Sequence, residues 1–302
     1  MSAYISFSYG SGANPLHMAA QRYHRMEAIV LTRSIGFFSA ALGLLSALAT
    51  LSSVSAEVLK VGGTGAATEM LRQIAPAFEA ETGITLQVIP SLGTSGANAA
   101  VADGALDISV GGRDLKKKEA EIGLTVAATF RTPFGLVTSR PGPVGLKSAE
   151  IANLYRADKP LWPDGTPVLI VLRPADESDN VLLGNLFPGM SEAIKHARGR
   201  NDLSLAATDQ DNAEMAEKTK GSLVGATLTQ MTTEKRNLRF LAIDGVAPSL
   251  ENYENRSYPY AKTLYVVVPS QVRPEASAFL SFIATPAGEA LLRKAGIVAG
   301  AE

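Results

Sequence analysis

No cysteine occurs among the 302 residues. That excludes a disulfide scaffold, a thiolate metal site, a cysteine nucleophile and a lipid-anchored cysteine at a processed N-terminus. Histidine is nearly as scarce: of three in the chain, only His196 lies beyond residue 56. It stands in the polar run Lys195-His196-Ala197-Arg198, which reads as a solvated helix face. No Ser–His–acid triad and no histidine-based metal site is visible, and no spacing of the acids suggests a carboxylate pair. Neither a catalytic residue, a metal nor a cofactor is therefore expected. An excess of one charge is missing as well. The net charge is −1, and nucleic acid is not expected as a partner. A small anion is compatible with this balance, because such a site is local and built from few groups. Repeats and low-complexity tracts are absent. Long apolar runs are limited to one, so the chain is not a polytopic membrane protein. With 46% hydrophobic and 19% charged residues it is not disordered either.

The single apolar run, residues 35–51, follows Arg33 and leads into Val54-Ser55-Ala56. A charge, an apolar core and a small-residue exit predict a signal peptide cleaved between Ala56 and Glu57. About 17 apolar residues is short for a membrane anchor. Residues 1–25 resemble neither leader nor domain, so translation from Met26 is an alternative to Met1. Residues 1–56 carry Arg22, Arg25 and Arg33 against Glu27, and their loss takes the net charge from −1 to about −3. Export of a cysteine-free chain points to a bacterial periplasm, with the mature protein not embedded in the membrane.

Past the leader, Glu57–Gly62 reads as a strand and Gly63-Thr64-Gly65 as a turn. Ala67, Met70, Leu71, Ile74, Ala75 and Phe78 follow helical spacing up to Gly83. Ile84–Ile89 is a second strand and Ser91–Gly96 a second Gly/Ser/Thr turn. A short helix through Ala97–Val101 precedes a third strand, Leu106–Val110, which ends in Gly111-Gly112-Arg113. Strand–turn–helix repeated in this way predicts a parallel sheet covered on both faces. A strand at Phe134–Ser139 is followed by Pro141-Gly142-Pro143, and the pattern restarts. It gives helix Ser148–Arg156, strand Val168–Leu172, a helix near Val181, helix Asp209–Lys220, and strands Ser222–Leu228, Leu238–Ile243 and Thr263–Val268. Two tail helices, Pro274–Ile283 and Ala287–Ala295, complete it. If the late strand rejoins the first sheet, two α/β lobes result. They would be 57–138 with 261–302, and 139–260, linked near 137–141 and 258–263. Ligands of such sheets bind at the carboxyl ends of the strands, here between the lobes.

Three turns at strand ends carry anion-binding chemistry. A helix N-terminus presents unpaired amides and a partial positive charge. Gly63-Thr64-Gly65-Ala66 adds a hydroxyl and room for close approach. A dinucleotide fingerprint is disfavoured, since the third glycine is missing and the second strand ends in Pro90-Ser91 without an acid. Gly93-Thr94-Ser95-Gly96 repeats the design. Arg113 offers a fork of donors for an oxyanion, or else a surface ion pair with Asp114 or Glu119. In the second half, Arg173 follows a strand directly and Ser178 or Asn180 precedes a helix. Either they touch ligand, with Arg173 beside the cleft and outside the core, or they make a cap and a solvated arginine. Asp209-Gln210-Asp211-Asn212 reads mainly as a cap, with a position facing the cleft as the alternative.

The runs VGGTGA, SLGTSGA, LDISVGGRDL, NLYRADKPLWPDGTPV, LRPADESDN and LAIDGVAPSLENYENRSYPYAKTLYVVV resemble the periplasmic phosphate-binding proteins of ABC transporters. The resemblance covers nearly the whole mature chain. It implies a type II periplasmic-binding-protein-like fold: two Rossmann-like α/β lobes joined by a two-stranded hinge. The lobes would close on phosphate or a similar tetrahedral oxyanion and deliver it to an ABC permease, with no enzymatic activity and as a monomer. Carried over by motif, the ligand would be held by Thr64, Gly65, Ala66, Ser95, Gly96, Arg113, Arg173 and Ser178. Two departures matter. Gly112 stands where many members have a serine or aspartate, and the loop reads Ser178-Asp179-Asn180 where the family has Ser-Gly-Thr. A proton acceptor for phosphate would then have to come from Asp176, Glu177 or Asp179. Two readings of other classes stay open: an oxyanion sensor without transport, and an α/β enzyme using the cleft.

Overall fold

The computed structural model describes residues 57–142 and 145–300. The apolar block, its cleavage exit and both candidate start sites lie outside the described residues. In chain order the first elements are β1 (Val58–Gly63), α1 (Gly65–Thr82), β2 (Thr85–Ile89), α2 (Gly93–Ala102), β3 (Ile108–Gly111), α3 (Lys117–Glu121), β4 (Leu124–Thr138), β5 (Gly145–Leu146) and α4 (Ile151–Arg156). There follow β6 (Leu169–Leu172), α5 (Ser178–Leu186), α6 (Met190–Arg198), β7 (Ser204–Leu205), α7 (Asp209–Lys218), β8 (Ser222–Thr227), α8 (Leu228–Glu234), β9 (Arg239–Phe240) and β10 (Ala242–Ile243). The chain ends with α9 (Leu250–Glu254), β11 (Ala261–Pro269), α10 (Pro274–Ile283), α11 (Pro286–Lys294) and β12 (Val298–Ala299).

This is a mixed α/β fold with one main sheet in the order β2-β1-β3-β11-β4-β8-β6-β7. Both ends are parallel, as the strand–turn–helix rhythm predicts: β1 pairs with β2 and β3, and β6 with β7 and β8. The centre is not. β11 runs antiparallel to β3 and β4, and β4 antiparallel to β8. The reason is β4, which is 15 residues long and begins ten residues before the predicted strand. Pro133 hid its first part, because proline cannot donate to a ladder and argues against strand interior. In the fold Pro133 stands where β4 changes partner, pairing with β11 up to Pro133 and with β8 from Phe134.

Two large hydrophobic clusters flank that change. Leu59, Val61, Met70, Ile74, Phe78, Val110, Phe130, Leu264, Val266, Phe279 and Phe282 belong to the first. Phe134, Leu136, Tyr155, Trp162, Ile170, Leu183, Met190, Leu223 and Tyr258 belong to the second. The face of α1 that the spacing selected is the one buried, with Phe78 edge-on to Phe279 at 5.4 Å between ring centres. Gly83 closes α1 in the left-handed conformation at φ 74°, which a residue without Cβ adopts at no cost. The predicted strand Leu238–Ile243 is split. β9 pairs with β4, and β10 with β5, so one apolar run serves two neighbours.

Candidate functional site

In the parallel part of the first half, β1 lies between β2 and β3; in the second, β6 lies between β7 and β8. Both are switch points, where the chain leaves neighbouring strands in opposite directions and opens a crevice at their carboxyl ends. Thr64 and α1 leave the first. Arg173 follows β6, and Asp209 follows β7, at the second. The two meet. Thr64 Oγ1 donates to Asp209 Oδ2 at 3.0 Å, and the Ala66 amide donates to the same oxygen at 2.9 Å. Arg173 Nε donates to Asp209 Oδ1 at 3.1 Å. A carboxylate from the second half therefore sits on the first turn of α1, where the helix amides and dipole favour negative charge.

Local capping explains why Asp209 is free to do this. Sequence reading assigns Asp209-Gln210-Asp211-Asn212 to a cap. In the fold Thr208 Oγ1 accepts from the Asp211 amide at 3.0 Å, and Asp211 Oδ2 accepts from the Thr208 amide at 2.9 Å. That reciprocal pair satisfies the start of α7. Thr64, at the cap position of α1, makes no side-chain bond within its own helix. Gly65 completes the junction: a Cβ there would lie 2.8 Å from Asp209 Cβ and 2.5 Å from Gln210 Oε1. Gln210 Nε2 donates to the Gly65 carbonyl at 3.0 Å.

Arg173 is not the non-core arginine that the sequence suggests. It is 6% exposed, donates through Nη1 to the Ala206 carbonyl at 2.7 Å, and lies 3.5 Å from Glu177. Its own carbonyl accepts from Asn180 Nδ2 and Arg198 Nη2. The guanidinium is thus held inside the fold by Asp209 and the Ala206 carbonyl from beyond β7 and by Glu177 from its own loop.

A second cation, missed by the sequence reading, is Lys262 on β11. It is 1% exposed and forms an ion pair with Asp179. The signal was present: Lys262 is in phase with Leu264, Val266 and Val268, on the inward row of a period-two strand. Gly112 makes room for it, since a Cβ there would lie 2.7 Å from Lys262 Cε and 2.6 Å from Ser178 Oγ. Of the three acids proposed as proton acceptors, Asp179 is the one turned inward; Asp176 is exposed and Glu177 lies toward Arg173. Burial pushes the Asp179 carboxyl up against the pull of Lys262. Asp209 is also buried, but the charges of Lys262 and Arg173 and the bonds from Thr64 and Ala66 hold it below the usual range. Burial would lower Lys262, yet Asp179 and Asp209 raise it on balance.

The remaining predicted residues divide. Ser178 and Arg113 line, with Gly112, Asp176, Lys262 and Tyr265, a cavity of about 300 Å³. Arg113 is engaged in the ion pair that was its alternative reading, donating to both Glu119 oxygens at 2.8 and 2.7 Å and to Ser95 Oγ at 3.0 Å. The Arg113 bond, against a smaller burial effect, takes the Glu119 carboxyl down to about 2. Ser95 and Gly96 are exposed. All three residues Thr94, Ser95 and Gly96 lie in the first turn of α2, where the sequence reading puts a turn before the helix. Thr94 is the buried hydroxyl there, and its Oγ1 accepts from the Gly112 amide at 2.8 Å. The fold thus gathers Thr64, Gly65, Ala66 and Arg173 around Asp209, and sets Ser178 and Arg113 beside Lys262.

Solved structures share this architecture. A Clostridium perfringens protein, described as a candidate phosphate ABC transporter substrate-binding protein with bound phosphate, matches with TM-score 0.70 at 16% identity. The match covers 81% of this chain and 100% of that one. An ABC-type phosphate transport receptor from Vibrio cholerae matches with TM-score 0.56 at 11% identity, over 81% and 100% of the two chains. The periplasmic molybdate-binding protein of Azotobacter vinelandii matches with TM-score 0.56 at 14% identity, over 80% and 100%. No curated protein sequence matches. The model of the PBP superfamily domain matches residues 50–287, and the chain belongs to that superfamily.

Proposed function

We propose that the chain is a periplasmic substrate-binding protein that captures phosphate or a similar tetrahedral oxyanion between two lobes and presents it to an ABC permease. Each lobe is built on one of the two large hydrophobic clusters, joined through β4 and through the segment that leads from Tyr258 into β11. The mature protein acts as a monomer and binds without catalysis. One observation carries this reading: a hydroxyl, a helix amide and a buried guanidinium from two different switch points converge on one carboxylate. Such donors suit an oxyanion that takes only hydrogen bonds and positive charge. The descriptions of the Clostridium and Vibrio structures support phosphate as the first candidate. The Azotobacter structure favours including molybdate.

Calorimetry of the purified protein against phosphate, sulfate and molybdate tests this. Phosphate carries a proton near neutrality and sulfate does not, and the inward Asp179 is the acceptor for it. A preference for phosphate over sulfate of at least ~100-fold is expected, equivalent to ~2.7 kcal/mol. No heat with any of the three anions would remove the oxyanion reading. Equal affinity for phosphate and sulfate would remove Asp179 as the selector.

A further inference from the structure

We propose that Asp209 is a built-in anion which holds the lobes together at the ligand site, so that an oxyanion binds by displacing it. The inference rests on the oxyanion reading above and adds how the site is filled and emptied. Asp209 uses the Thr64 hydroxyl, the Ala66 amide and Arg173, the donors an incoming oxyanion needs. It is not required by its own helix, which Thr208 and Asp211 cap. Gly65 keeps the space against α1 into which it fits, with a built Cβ only 2.9 Å from Asp209 Oδ2.

Charge gives the second argument. Arg173 and Lys262 face Asp209 and Asp179, and Glu177 lies 3.5 Å from Arg173. The cations are already balanced. Adding an oxyanion to this set would bury a further negative charge without a counterion, which is costly. Swinging Asp209 out leaves one carboxylate fewer and frees three donors at once. Binding is then an exchange, and the observed affinity is the ligand's own, reduced by competition from a carboxylate held at high effective concentration.

The test compares the full-length wild-type protein with Asp209→Asn and Gly65→Ala. Calorimetry uses phosphate, sulfate and molybdate, and small-angle scattering is recorded without ligand. Asp209→Asn should bind the preferred anion about 10-fold more tightly or better, because the competing charge is gone. Both variants should show a larger radius of gyration than wild type without ligand. Gly65→Ala does so by steric pressure on Asp209, with every ion-pairing group retained, so it judges the latch even if Asp209→Asn folds poorly. Wild-type binding with no gain in Asp209→Asn, or an unchanged radius in Gly65→Ala, overturns the inference and leaves the oxyanion reading intact. No binding by wild type and Asp209→Asn alike overturns both.

Discussion

Replacing Lys262 with methionine probes the buried charges most directly. The thioether keeps the stem that packs beside Gly112 and removes only the ammonium. Lys262 and Asp179 are 1% and 12% exposed as side chains, so Asp179 loses its partner in a place water barely reaches. Removing one member of a buried pair costs about 3–5 kcal/mol, mostly for the charge left behind. For a domain of this size ~1 kcal/mol moves the melting temperature by about 2–4 °C, which gives a fall of roughly 6–20 °C. The loss should depend on pH. Asp179 is already raised by burial and rises further without Lys262, so the folded variant binds more protons than the unfolded chain. Its stability therefore increases as pH falls, and the deficit against wild type shrinks under acidic conditions. Adding Asp179→Leu should recover most of the loss, since no unpaired charge then remains. Thermal melts followed by circular dichroism, for wild type, both single variants and the double, would measure this. A Lys262→Met protein that melts within about 2 °C of wild type, or a double variant no more stable than Lys262→Met, would show that the two groups do not depend on one another.

Arg173→Ala should lower stability by about 3–5 kcal/mol in denaturant titrations, because it strands Asp209 in the interior; an unchanged midpoint would mean that Asp209 finds water or another donor. Gly112→Ala should cost about 1–3 kcal/mol through overlap with Ser178 and Lys262, read by the same titrations. Glu119 has its folded pKa depressed from 4.5 to about 2, so its pairing with Arg113 contributes fully above the unfolded value and is lost as pH falls through that window. Glu119→Gln should flatten the acid limb of the stability–pH curve between those values and leave the alkaline limb alone. Mass spectrometry of the exported protein should find an N-terminus within a few residues of Glu57, and an intact chain from Met1 or Met26 would contradict the leader reading.

Much of the fold follows from local pattern. The spacing from Ala67 to Phe78 and the stop at Gly83 define α1 because a helix that buries one face repeats every three to four residues, and only glycine ends it cheaply. The strand-to-helix junction at Thr64 is legible for the same reason, since backbone chemistry near a glycine is set by its immediate neighbours. At the second junction the expected turn Gly93–Gly96 is instead the first turn of α2. Strand direction is not of this kind. Nothing local tells that β11 returns antiparallel beside β3, or that β4 runs through Pro133 to serve both clusters. The site shows the same division. Thr64, Arg173 and Ser178 are placed by their turns and can be named from the sequence. Asp209 and Lys262 stand 145 residues from Thr64 and 83 from Asp179 in the chain. Their partners exist only once the sheet has closed, because a buried charge is tolerable only where the packed chain supplies its opposite.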